Sequence, residues 1–220
     1  MKKYVVIVAG GKGLRMGGDV PKQFLPIKGK PILMRTIERF VEYDETIEVR
    51  LVLPEAHFEY WGELCREYGF TTPHQLVKGG ETRYHSVRNG LYSISEAESL
   101  VAVHDGVRPF VSVETIATTF KEAEARGAVV PVIDSVDSLR RMEGCQSVAV
   151  DRSRYKLVQT PQTFRYDILK RAYDLPYREM FTDDASVVEA SGVEVKLVEG
   201  NRENIKITTN YDLKIACALV

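Results

Sequence analysis

Cysteine is scarce in this chain, and what little there is excludes two common roles. Cys65, Cys145 and Cys217 are odd in number and far apart, and neither they nor the four histidines fall at zinc-ligand spacing. A disulfide framework and a structural zinc site are thereby excluded, and the thiols read as reduced and structural. An excess of one charge is missing too: 30 Lys and Arg stand against 31 Asp and Glu, a formal net charge of −1. Nucleic-acid binding through bulk electrostatics is therefore not expected, and the basic residues should act as local sites for small anions. There is no internal repeat, no low-complexity segment and no long apolar run. The apolar start after Lys2 and Lys3 stops at Gly10, too short for a secretory core or a bilayer span, so the expectation is a cytoplasmic protein without a membrane partner. What remains, 44% hydrophobic and 28% charged, suits one globular α/β domain over residues 1–220.

The rest of the chain is organised around Tyr4 to Ile27, YVVIVAGGKGLRMGGDVPKQFLPI. Val5 to Ala9 form a β-rich apolar run suited to a parallel strand covered on both faces. Gly10, Gly11 and Gly13 then allow a sharp turn that brings backbone N–H groups close to an anion. Lys12, Arg15 and Lys22 are spread along the loop, which reads as a polyphosphate cradle. Two familiar phosphate loops do not match. A Walker A loop needs a Gly-Lys-Ser/Thr ending, and a dinucleotide loop needs a third glycine where Met16 stands; Pro21 also delays any helix.

Downstream, strands and helices alternate in a βαβ rhythm. Pro31 can open a helix with Leu33, Ile37, Phe40 and Val41 at helical spacing. Glu48 to Leu53 predicts a strand, Glu55 to Tyr68 a helix ended by Gly69, and Gln75 to Val77 a short strand. Gly79 and Gly80 follow it, either as a plain turn before a helix capped by Thr82 or as part of a ligand pocket at a strand end. Leu100 to Val103 predicts a strand that delivers His104, Asp105 and Arg108 at its end, with His104 packed rather than catalytic. Asp105 can hold a ribose hydroxyl, a polyol hydroxyl or Mg²⁺, and Arg108 can pair with Asp105 or meet a phosphate. A helix over Val113 to Arg126 and a strand over Ala128 to Ile133 continue the pattern.

Between Asp134 and Thr160 the alternation stops, and two polar, partly alternating stretches flank a Glu143-Gly144 turn signal. This predicts a protruding β-arm over 134–160, which cannot bury its own faces and should pack against a twin in a homodimer. A helix to Tyr173 comes next, then a helix capped by Thr182, strands over Val193 to Val198 and Asn204 to Thr208, and a last helix with Thr209 and Asp212 as its capping box.

The pattern A-G-G-x-G-x-R-M-x(4)-P-K-Q from Ala9 to Gln23 resembles the signature loop of nucleotidyltransferases that join an NTP to a sugar or polyol phosphate. With G-G-x-x-R-x-x-S-V from Gly79 to Val87, V-D-R ending at Arg152 and T-D-D-A-S from Thr182 to Ser186, the chain is similar to the polyol-phosphate cytidylyltransferases over nearly its whole length. The resemblance implies a Rossmann-like, mostly parallel sheet with helices on both faces. The implied reaction transfers CMP from CTP to a polyol phosphate, with methylerythritol phosphate as acceptor; ribitol phosphate is the alternative, and a non-catalytic nucleotide-binding module is the alternative of another class. It further implies Arg15, Lys22 and Lys206 as catalytic cations, and Ala9, Gly10, Gly11, Gly13, Gly79, Gly80, Glu81, Ser86 and Asp105 around the nucleotide. Asp105, Arg108, Ser135, Arg152, Thr160, Thr182 and Lys206 are implied around the acceptor, with Arg152 and Ser135 reaching the partner's site. In this chain Asp134-Ser135-Val136-Asp137 stands where the family often has Asp-Thr-Ile/Met-Lys. Mg²⁺ is expected mainly on the CTP phosphates, with Asp105 available as a ligand. The nucleophile is an already anionic phosphate oxygen, so the reaction needs no general base; it needs cations that offset repulsion and stabilise the transferring group.

Overall fold

The computed structural model describes residues 1–11 and 20–220. Gly13 and Arg15 of the first glycine loop lie outside the described residues, as does Lys12. The elements in chain order are β1 (Lys2–Val8), β2 (Pro26–Ile27), β3 (Lys30–Pro31), α1 (Ile32–Tyr43), β4 (Glu48–Leu53), α2 (Phe58–Glu67), β5 (Gln75–Lys78), α3 (Arg83–Tyr92), β6 (Ser99–Asp105) and α4 (Val113–Arg126). They continue with β7 (Ala128–Asp134), β8 (Leu139–Glu143), β9 (Gln146–Val150), β10 (Lys156–Val158), β11 (Gln162–Arg165), α5 (Tyr166–Tyr173), α6 (Asp184–Ala190), β12 (Lys196–Glu199) and α7 (Asn210–Leu219).

One eight-stranded sheet runs in the order β10-β7-β11-β6-β1-β4-β5, with β12 also paired to β7. β1 is parallel to both β4 and β6, β4 to β5, and β12 to β7, while β11 is antiparallel to β6 and β7 and β10 to β7. The sheet is therefore mostly parallel, with β10 and β11 reversed. Alternate residues of each central strand serve opposite cores, as the two-residue strand period requires. Val5, Ile7, Leu100 and Ala102 face α1, α2 and α4 through Leu33, Phe40, Trp61 and Phe120. Tyr4, Val6, Val101 and Val103 face α3, α5 and α6 through Val87, Leu169 and Val188. Helices on both faces explain why these strands carry continuous apolar runs instead of the alternation of a half-exposed sheet.

Several sequence expectations need correction. Asn204 to Thr208 is not a strand: Ile207 N–H bonds Val107 O at 3.0 Å and Asn204 Nδ2 bonds Thr160 O at 2.8 Å, isolated ties and no ladder. The strand expected over Val193 to Val198 starts later, at Lys196. Thr182 is not the cap of α6. Asp183 is, because its carboxylate accepts from Ser186 N–H at 2.9 Å while Ser186 Oγ accepts from Asp183 N–H at 3.2 Å. Within 134–160 only β8 and β9 form a separate hairpin, turning at Gly144 with φ +62°; Lys156 to Val158 returns to the main sheet beside β7. The helix expected over Glu55 to Tyr68 is a 3₁₀ turn, Glu55–His57, followed by α2.

Candidate active site

The parallel strands bring three loops to one rim. Ala9 N–H bonds Val52 O at 3.0 Å, Gly79 N–H bonds Leu53 O at 2.8 Å, and Gly106 N–H bonds Val8 O at 2.9 Å, so the segments after β1, β5 and β6 are stitched to neighbouring strands. β1 lies between β4 and β6: the chain runs from β1 to β4 and β5 on one side and then crosses back to β6 on the other. That is the switch point at which open α/β sheets bind ligands, outside the carboxyl ends of the strands. A cavity of about 300 Å³ opens there. Its lining includes Ala9, Gly10 and Gly11 after β1, Lys22 and Gln23 in the 3₁₀ turn Lys22–Phe24, Gly80, Glu81, Arg83 and Ser86 around the start of α3, Asp105 at the end of β6, and Lys206 and Thr208.

Local chemistry holds each wall. Gln23 is buried, and its Nε2 donates to Ala9 O at 2.8 Å, which anchors the exit of β1. Gly80 is required by space: a Cβ there would lie 2.4 Å from His85 Cβ. Its N–H donates to Ser86 Oγ at 3.0 Å, and Thr82 caps α3, so that this helix presents its N-terminal end to the cavity.

Asp105 is the electrostatic centre. Its Oδ2 lies 3.2 Å from Arg108 Nε and 3.1 Å from Lys206 Nζ, and its Oδ1 lies 3.7 Å from Arg83 Nε. Burial would raise its pKa, yet Arg83, Lys206 and Arg108 together hold the carboxyl well below the usual carboxylate range. Burial likewise opposes the Arg83 charge, and Asp184 followed by Asp105 more than restores it, so the guanidinium is held protonated. Backbone support comes from Thr160, whose Oγ1 accepts Asp105 N–H at 3.2 Å.

Of the residues singled out in the sequence, Ala9, Gly10, Gly11, Lys22, Gly80, Glu81, Ser86, Asp105 and Lys206 line this one cavity. Gly79 lies just behind it, bonded to Leu53 O. Arg108 pairs with Asp105 from behind and donates from NH1 to Asn204 O at 2.8 Å; Thr160 is buried beneath the strand end. Ser135, Arg152 and Thr182 are not in the lining: Ser135 Oγ donates to Asp137 O at 3.1 Å, Arg152 donates to Val136 O, and Thr182 is exposed. Arg83, which matches the arginine of the recognised G-G-x-x-R-x-x-S-V motif, also lines the cavity. Gln23 and Thr208 belong to the lining without having been assigned a role from sequence, although Gln23 ends the P-K-Q of the first loop and was within reach.

A mostly parallel α/β sheet with a glycine-bordered, cationic cavity at its switch point defines a nucleotidyltransferase. Residues 3–220 match the model of one family within that class, the 2-C-methyl-D-erythritol 4-phosphate cytidylyltransferases (IspD), and the chain belongs to it. It is 58% identical over 220 residues to the 2-C-methyl-D-erythritol 4-phosphate cytidylyltransferase of Bacteroides fragilis and 57% identical to that of Phocaeicola vulgatus, in both cases across 100% of each chain. Among solved structures, the Francisella tularensis enzyme of that name superposes with a TM-score of 0.83 at 30% identity, covering 100% of both chains. The Thermus thermophilus enzyme gives 0.77 at 34% identity, over 100% of this chain and 98% of that one.

Proposed function

We propose that the protein transfers the CMP group of CTP to 2-C-methyl-D-erythritol 4-phosphate, giving 4-diphosphocytidyl-2-C-methyl-D-erythritol and pyrophosphate in the non-mevalonate isoprenoid pathway. The acceptor phosphate oxygen forms a bond to the α-phosphorus of CTP as the bond to the pyrophosphate oxygen breaks, so no proton has to be removed from the nucleophile. The observation that carries this reading is that Lys22 and Lys206 share one cavity with the Gly80 to Ser86 segment and the end of β1, within a chain that matches the family along its length. On this reading Lys22, Lys206 and Arg15 offset the phosphate charge, Ala9 to Gly13 cradle the triphosphate, and Gly79 to Ser86 border the cytosine. Its edge offers one amino donor and two acceptors, a pattern that backbone groups and a serine hydroxyl can match.

The fit of a divalent cation follows from Asp105. Both of its oxygens face cations, and among the described residues no group of three His, Cys, Asp or Glu gathers that could hold a metal ion. Mg²⁺ therefore suits the phosphates of CTP better than a site on the chain itself. When bound, it would supply further positive charge at the transferring group.

The β8–β9 hairpin exposes Met142 and Val148, 66% and 44% accessible, and we assign it to contact with a second copy, which would carry Arg152, Ser135 and the acceptor-side groups toward the partner's cavity. No helix among the described residues is long and apolar enough to cross a membrane, and a cytoplasmic enzyme of one catalytic domain is the reading we adopt. The test is pyrophosphate release from CTP with each polyol phosphate in turn. Methylerythritol phosphate should exceed ribitol phosphate in kcat/KM by a wide margin, because a longer, unbranched polyol leaves polar groups of the site poorly paired. Equal or reversed specificity constants would move the assignment to ribitol phosphate.

A further inference from the structure

Asp184 lies at the start of α6 and is completely buried, in the same helix as the buried Ala185, Val187 and Val188. A carboxylate in such a place is sustained only by strong partners. Arg83 provides two, NH1 to Oδ1 at 3.0 Å and NH2 to Oδ2 at 2.7 Å, and the Tyr173 hydroxyl donates to Oδ1 at 2.6 Å. Gln162 clamps the same helix start, donating from Nε2 to Asp183 Oδ2 at 2.8 Å and accepting Ala185 N–H on Oε1 at 2.8 Å. With both terminal nitrogens held, Arg83 presents only its Nε toward Asp105.

The three cations around Asp105 differ in freedom. Arg108 is 12% exposed and fixed by Asn204 O, and Arg83 is fixed by Asp184; Lys206 is 43% exposed. Charge counting points the same way: Arg83, Arg108 and Lys206 face two carboxylates, Asp105 and Asp184, so one positive charge is in excess. We propose that Asp184, held by Tyr173, is a positioning residue for the transfer: it fixes Arg83 so that Arg83 and Arg108 keep Asp105 compensated while Lys206 leaves it for an incoming phosphate. The inference rests on the reading of Lys206 as a phosphate-facing lysine given above. Without Asp184, the Arg83 fork is released, swings onto Asp105 or into the cavity, and Lys206 loses its defined starting point.

The experiment compares wild type, Asp184→Asn and Arg83→Lys in steady-state pyrophosphate release from CTP and methylerythritol phosphate, with thermal unfolding of each. Arg83→Lys keeps the charge and removes the two-pronged geometry, which lysine cannot reproduce. Both variants should lose about tenfold or more in kcat while KM for CTP stays within about threefold, the pattern of an interaction that matters in the transition state. Wild-type kcat in either variant, or a loss confined to KM, would overturn the proposal. If Asp184→Asn does not fold, Arg83→Lys with a native melting temperature decides it in the same way. Absence of pyrophosphate release from the wild type would instead overturn the proposed function, so the two failures are distinguishable.

Discussion

At the scale of single residues, His104 is held neutral by burial, and a directed chain of hydrogen bonds fixes its tautomer. Asp105 N–H donates to Thr160 Oγ1, so the threonine hydroxyl hydrogen is free to go to His104 Nδ1 at 3.0 Å, and Nε2–H donates to Arg108 O at 3.0 Å. Burial pushes its pKa down to about 4. The folded value lies below the unfolded value of about 6.5, so the unfolded chain takes up the proton first as pH falls. Stability that is fully present above pH 6.5 should therefore be lost between 6.5 and 4, by about 3 kcal/mol at the lower limit. Urea unfolding between pH 7 and 4.5 measures this, and His104→Gln should flatten the profile; a wild-type midpoint that does not move would exclude it. Asp44, lowered to about 2 mainly by its bond to Lys3, acts only further down the scale and does not confuse that window. Asp105 was legible in the sequence because it follows the apolar run Leu100 to Val103 at a strand end, whereas Lys206 was reached only through the family resemblance. Asp184 was not legible. T-D-D-A-S offers two adjacent carboxylates, and sequence alone does not say which caps the helix and which is buried. The spacing of Asp184 to Val187 and Val188 did hold the clue, since it places the carboxylate on the apolar face.

Among the elements, α3 links the core to the cavity: its first turn carries Arg83 and Ser86, and its Gly90 rests directly on the sheet. A Cβ at Gly90 would lie 2.5 Å from Val6 Cγ1 and 2.9 Å from Val52 Cγ2. Gly90→Ala gains about 1 kcal/mol of helix propensity and loses about 1–3 kcal/mol to overpacking. The loss should prevail because Val6 and Val52 are buried, β-branched and unable to yield. The expected outcome is a lower urea midpoint together with weaker CTP binding by calorimetry, as the helix start shifts at the cavity; a raised midpoint would mean that propensity wins. The same dependence on neighbours set the limit of what the sequence revealed about elements. β4, α4 and β1 announce themselves through period and length. Ile205-Lys206-Ile207 alternates like a strand and is not one, for a strand also needs a partner edge, which sequence period does not encode. Lys156 to Val158 reverses the case, being assigned to the arm by its polarity although an edge position beside β7 suits exposed, charged residues.

At the scale of the whole molecule, the hairpin and the residues beside it raise the matter of where each active site is completed. Arg152 is exposed, lies outside the cavity lining of its own chain, and follows a hairpin that has no face buried by the sheet. If two copies exchange these hairpins, the site of Lys22 in one copy is completed by Arg152 of the other. Lys22→Ala and Arg152→Ala, each alone, should be nearly inactive, since removal of one electrostatic contact to the transition state costs about 10²-fold or more in kcat. Mixing the two variants separates the alternatives. With the site formed between copies, every mixed dimer has one site with both defects and one with neither, and random reassociation should restore about a quarter of wild-type activity. With Arg152 serving its own chain, every site retains one defect and nothing is restored. Native mass spectrometry establishes that mixed dimers are present before the assay is read. No recovery in such a sample would refute the shared site while leaving the transferase assignment in place, and high activity of Arg152→Ala alone would show that the arginine is not required in either copy.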